Sequence, residues 1–383
     1  MYDFETIHDR KNTYSLKWDL YNGTDICPMW VADMDFQTAP EIVDAVTGYA
    51  KKGIYGYSNC PEQMTELLVD RMKRLYNWDT KPEEYLFLPG IVPGMNLACR
   101  TFGNPSDKVI NMTPVYYPFL RIPGNSGKES LNIPFTRSGS SWEFDFDRLE
   151  SEVEQNSNVS ILQLSNPHNP LGKIFSRSEL VRLSEICLKH NILIMSDDIH
   201  CDLILNESKT HIPIASLSPE ISNQVLTFMS PTKTWGMPGL QFSYLIIQDP
   251  EKRHIIESQM GALYGRLSGP AYIAGLAAYS QGQPWLSELL DYLRGNKALV
   301  FECLRNLPGI SLCEPLDATY LAWFDYSDTG QKNLKEILEK EAGVGLSDGA
   351  PFGYEWGLRL NFACPRNMLN NSLEKISTTI RSL

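Results

Sequence analysis

Six short apolar runs constrain this chain more than any other feature: Tyr85–Leu88, Val109–Asn111, Val159–Leu164, Ile192–Met195, Val225–Phe228 and Tyr244–Ile247. None alternates apolar with polar. A strand covered on one face alternates; one covered on both faces does not. The runs therefore predict a largely parallel sheet with helices on each side. The connecting pattern agrees. Ser176 and Glu179 form an S-x-x-E capping box. Leu180, Leu183, Ile186, Cys187 and His190 follow at helical spacing, and Asn191 can end the helix before the next run. Strand–helix–strand order predicts an α/β fold.

A chain of 383 residues exceeds what one hydrophobic core usually serves. From about Gln283 the pattern changes to a helical stretch, Trp285–Asn306, and then strand-like SLCE, TYLAWFD and WGLRLNF. We expect a large domain over residues 46–282. A smaller α+β domain is expected from residues 1–45 and 283–383.

In open α/β sheets, ligands bind beyond the carboxyl ends of the strands. Polar residues stand there after nearly every run: Pro89-Gly90, Thr113 to Tyr116, Ser165-Asn166-Pro167, Asp197 and Ser230. Lys233 follows Ser230 closely. Burial disfavours its ammonium form and makes the amine a nucleophile able to form an imine; a surface turn lysine is the plain alternative. Asp197 can hold a proton on a pyridine nitrogen, or simply cap a helix. The loop around Asn169, with two X-Pro steps and Gly172, can present an amide to a ring hydroxyl, or be an ordinary tight loop. Ile91 and Val92 open a probable helix after Gly90, where free N–H groups favour phosphate. Tyr116 can stack on a planar ring or fill a core. Arg359, between apolar neighbours, needs a partner: a ligand carboxylate or a structural carboxylate. Together these are the parts of a pyridoxal 5′-phosphate (PLP) site.

Composition narrows the alternatives. A net charge of -12 argues against a nucleic-acid surface. No apolar segment is long enough for a membrane span. No secretory leader is visible. The eight cysteines and six histidines show no metal-ligand or disulfide spacing. We expect a cytoplasmic protein with reduced thiols and no metal.

The S-x-x-K around Lys233, NPHNPLG, SDDIH and RLNF occur in the order found in fold-type I PLP enzymes. The chain resembles the class I/II aminotransferase superfamily along essentially its whole length. The stretch Pro28-Met-Trp-Val-Ala-Asp33-Met-Asp35-Phe36, the segment Gly56-Tyr57-Ser58, His200 and Pro315–Phe324 look like the cystathionine β-lyase and cysteine C–S lyase branch (MalY/PatB type). His200 stands where aminotransferases have a tyrosine, and Gln241 where they have a phosphate-binding arginine. Ala318 replaces a common glycine.

The resemblance implies an aspartate aminotransferase-like fold with a mainly parallel seven-stranded sheet, and a homodimer. It implies that Lys233 holds PLP as a Schiff base and moves protons. Asp197 would pair with the ring nitrogen, and Asn169 and His200 would lie near the ring hydroxyl. Tyr116 would stack on the ring. Ser230, Ile91, Val92 and a Tyr57 from the other subunit would hold the phosphate. Arg359, with Tyr57, would bind the substrate. No role is implied for Asp33. The expected reaction is β-elimination from cystathionine or a related cysteine S-conjugate, giving a thiol, pyruvate and ammonia. An aminotransferase is the alternative within enzymes. A PLP-binding regulator is a further one, against which stand the acidic charge and the lack of a DNA-binding domain before PMWVADMDF.

Overall fold

The apolar runs become strands because each sends successive side chains to opposite, equally dry faces. The computed structural model describes residues 2–383. Seven strands form the main sheet: β1 (Tyr85–Leu88), β2 (Lys108–Thr113), β3 (Glu129–Pro134), β4 (Val159–Ser165), β5 (Leu193–Asp197), β6 (Val225–Met229) and β7 (Ser243–Ile246). Their order is β1-β7-β6-β5-β4-β2-β3. All neighbours are parallel except that β7 runs antiparallel to β1 and β6. Ile161, Leu193, Met195 and Leu226 pack into one core with Ile91 and Met95. Leu162, Ile194 and Val225 pack into another, with Leu180 and Leu183. Each such side chain contributes about 1.5–3 kcal/mol on burial.

The capping box forms as expected. The Ser176 hydroxyl accepts from Glu179 N, and the helix runs Arg177–Lys189. Asn191 takes a left-handed φ of 54°. β3 had no counterpart in the sequence reading. It is a half-exposed edge strand, so ESLNIP lacks the apolar run that marks its neighbours.

A second, antiparallel sheet has the order β8 (Ser311–Leu312), β9 (Leu321–Asp325), β11 (Gly357–Asn361), β10 (Ser347–Asp348). The N-terminal segment packs here. Cys27–Pro28 pairs in parallel with Val344–Gly345. Phe4 meets Trp285 at 5.6 Å and Tyr292 at 5.4 Å between ring centres. Leu360, Leu369 and Ile376 share that core with Met29 and Phe36. The N-terminal segment thereby crosses the mouth of the main sheet's carboxyl edge.

Candidate active site

The register of the main sheet assembles the site. Ser165, ending β4, pairs with Asp197, ending β5, and Asp197 with Phe228 on β6. Beyond this edge lies a cavity of about 130 Å³ lined by Ile91, Val92, Tyr116, Asn169, Asp197, His200, Lys233 and Arg359, closed by Trp30, Val31, Ala32 and Ser347. Eight of the ten expected residues thus meet in one place.

The other two do not join them. Ser230 is buried, but its hydroxyl is committed to the fold, donating to the Phe242 carbonyl at 2.6 Å and accepting from Thr232 N at 3.1 Å. Tyr57 is fully exposed. The position of Gln241, just past a 3-10 turn with φ 50°, is exposed as well.

Local geometry explains how each side chain is presented. Asp197 caps no helix. Its Oδ1 accepts from Ile199 N at 3.1 Å, an Asx turn at the strand end. Its neighbour Asp198 points elsewhere, to Ser196 and to His211 Nε2 at 2.8 Å. The NPHNPLG loop closes on itself: His168 N donates to Lys173 O at 2.8 Å, and Gly172 N donates to His168 O at 2.7 Å. Gly172 has φ +64°, and a side chain there would run into Leu316 and the Ala318 carbonyl. Both Asn-Pro bonds in the loop are cis. The loop sets the Asn169 amide against Arg359, whose Nη1 donates to Oδ1 at 3.0 Å. The Asn169 carbonyl accepts from Tyr116 N at 2.9 Å.

Arg359 is 2 % exposed, and among the described residues it forms no ion pair. Its Nη2 donates to the Trp30 carbonyl at 3.0 Å and to the Ser347 hydroxyl at 3.3 Å, while Nε finds no partner. Phe352 lies under the guanidinium at 4.8 Å. Burial lowers its pKa to about 10. The structural-salt-bridge alternative is therefore not what the fold contains.

Burial dominates the other groups too. It pulls Lys233 down to about 8, with Arg359 adding to the fall and Asp33 and Asp197 opposing it. It pushes Asp197 up to about 7, with Asp198 adding to the rise. It drives His200 down to about 3, aided by Lys233 and Arg359, so the ring is neutral, and Nδ1 is buried without a partner.

One feature had no signal in the sequence reading. Five consecutive carbonyls of the PMWVADMDF segment receive side-chain donors. Trp30 O accepts from Arg359 and from Ser347 at 2.7 Å; Val31 O accepts from Asn361 at 2.6 Å. Ala32 O accepts from Lys233 Nζ at 2.6 Å; Asp33 O accepts from Lys17 at 2.9 Å; Met34 O accepts from Arg10 at 2.9 Å. The aspartates of this segment anchor it. Asp35 binds Lys17 at 2.6 Å and Arg10 at 3.0 Å, and Asp33 binds Arg10 at 2.6 Å. Asp33 is thus given a structural part.

These residues fit PLP. A buried carboxylate without a cation suits a protonated ring nitrogen. A helix start, Ile91–Thr101, with no acidic residue in its first turn suits a phosphate. A half-buried amine and an unpartnered imidazole nitrogen complete the set.

Comparison with known proteins agrees with this geometry. The family "Aminotransferase class I and II" matches residues 25–376. "Cystathionine beta-lyase PatB" of Bacillus subtilis is 36% identical over 389 residues, covering 99% of this chain and 100% of that protein. The crystal structure of OvoB superposes with a TM-score of 0.96 at 36% identity, covering 100% of both chains. The PLP-bound C–S lyase of Staphylococcus hominis superposes with a TM-score of 0.93 at 30% identity, covering 99% of this chain and 98% of that one.

Proposed function

Because the chain belongs to the class I and II aminotransferase family, we propose that it works within that family as a PLP-dependent carbon–sulfur β-lyase. It cleaves cystathionine or a related cysteine S-conjugate to a thiol, pyruvate and ammonia. The observation that carries this reading is the buried Arg359 without an acidic partner, in one cavity with Lys233 and Asp197. The similarity to named β-lyases supports the choice of reaction.

When bound, PLP supplies an aldehyde that takes up amines and a protonated ring that accepts the electron pair left at Cα. The chain supplies the rest. Lys233 would hold PLP through its amine, and the same amine is the base that would take the proton from the substrate's Cα. A pKa near 8 suits that task at neutral pH. Asp197 would keep the proton on the ring nitrogen, because a cation opposite a buried carboxylate favours its ionised form. Asn169 and neutral His200 would hold the ring hydroxyl, and Tyr116 would stack on the ring. Backbone N–H groups at Ile91 and Val92 would bind the phosphate. Ser230 joins them only by releasing the Phe242 carbonyl. Arg359 takes the substrate carboxylate in its fork.

The reading includes a cytoplasmic homodimer in which a second copy's Tyr57 reaches phosphate and substrate. The exposed apolar side chains of Ile54 and Tyr55, next to Tyr57 in the chain, support such an association. No helix among the described residues is long and apolar enough to cross a membrane. The division into residues 46–282 and the two flanking parts is supported by the sheets: the seven-stranded one lies within 46–282 and the four-stranded one within 283–383.

The test is an assay of purified protein with PLP and L-cystathionine and no keto acid. Stoichiometric pyruvate and thiol support β-elimination. Absence of pyruvate, with the cofactor's visible band lost until a keto acid is added, makes the protein an aminotransferase.

A further inference from the structure

A second cavity, of about 540 Å³, adjoins the first and shares Trp30, Tyr117 and Ser347 with it. Trp30 and Ser347 are also the residues that hold Arg359. A substrate carboxylate on Arg359 therefore sits at the boundary between the cavities. The rest of the substrate has the outer cavity before it.

The outer cavity is charged, and its charges fall into two kinds. Lys335 and Glu339 satisfy each other at 2.7 Å, and Glu339 also accepts from the Tyr21 hydroxyl. Arg121 and Asp348 form no ion pair among the described residues. The Arg121 guanidinium is laid over the Tyr117 ring at 5.2 Å, one helical turn along Pro118–Asn125. That contact aims the cation without neutralising it. Asp348 ends β10 beside Ser347, and among the described residues its carboxylate has one hydrogen bond, a long one from Ala350 N at 3.4 Å.

We propose that this outer cavity seats the sulfur substituent and selects substituents ending in a second α-amino-acid head. The distal carboxylate binds Arg121 and the distal ammonium binds Asp348. Arg121 and Asp348 thus determine specificity without touching the reacting bond. The proposal rests on the lyase reading in taking a cysteine S-conjugate as substrate.

The test uses Lys233→Ala protein loaded with PLP, in which substrate binds without turnover. Dissociation constants are measured by calorimetry for three probes. L-cystathionine carries both distal charges, S-(3-carboxypropyl)-L-cysteine only the carboxylate, and S-propyl-L-cysteine neither. We expect cystathionine to bind more tightly than S-propyl-L-cysteine. Arg121→Gln should reduce that preference about tenfold, the scale of one charge-assisted contact reached by solvent. Asp348→Asn should reduce the preference for cystathionine over S-(3-carboxypropyl)-L-cysteine by a smaller factor. An unchanged preference in Arg121→Gln, or equal weakening of all three probes, overturns the proposal. A Lys233-intact protein that makes no pyruvate from cystathionine sinks the lyase reading separately, and the binding ratios still decide the subsite.

Discussion

Two buried charge clusters lie within a few residues of each other and are built on opposite terms. In the N-terminal clamp, Lys17, Arg10, Asp33 and Asp35 satisfy one another through three ion pairs. In the cavity behind it, Asp197 and Arg359 are buried and Lys233 half-buried, yet no ion pair joins them among the described residues. Desolvating an ion is expensive, and a fold normally recovers that cost by pairing. A cluster that leaves it unrecovered marks where a ligand's charges belong. The contrast supports the proposal that the unpaired cluster is the site and the paired one its scaffold.

The sharpest test of the contrast is Lys233→Ala. It should lower kcat by about 10^3–10^4-fold, while PLP remains bound noncovalently, as its absorbance in the filtered protein would reveal. Full activity in that variant would refute the assignment. On the paired side, Lys17→Met should cost about 3 kcal/mol of stability, because it removes the fully buried cation of Asp35 and leaves that carboxylate to Arg10 and Trp18 alone; denaturant midpoints measure this. Arg359→Met should cost clearly less, since no carboxylate is stranded, yet raise KM for the amino-acid substrate strongly. Equal stability losses in the two variants would dissolve the distinction between the clusters.

pH offers a gentler probe. Asp197 in the cofactor-free protein is raised from 3.8 to about 7, so between those values the folded state holds a proton the unfolded chain has released. Stability must then fall as pH rises through that window and level off above it. Asp197→Asn should flatten this part of the profile in thermal melts at graded pH. The smallest expected effect lies far from both clusters. Ser176→Ala removes the cap of Arg177–Lys189 and should cost about 1 kcal/mol, with kcat/KM unaltered in the same assay.

How far the sequence alone reached follows from where the information is stored. Strand interiors and the residues just past their carboxyl ends are legible, because double-sided burial demands apolar runs and the edge collects polar groups. Lys233, Asp197 and Asn169 were visible for that reason. Arg359 was visible as a charge needing a partner, but its lack of one is a property of the fold. β3 was missed because an edge strand needs no apolar run. Ser230 was expected at the phosphate, yet its hydroxyl is spent on Phe242, a contact 12 residues away that no local pattern announces. Tyr57 stands outside the cavity of a single chain, so a part in it would require a second copy.

The carbonyl ladder of residues 30–34 carries a consequence for descent. Arg359, Asn361, Lys233, Lys17 and Arg10 address this segment through its main chain, an attribute every residue type shares. Gain or loss of a single residue shifts every carbonyl by one donor and disconnects Lys233 and Arg359 together. Lineages of this protein should therefore keep the length of this segment constant.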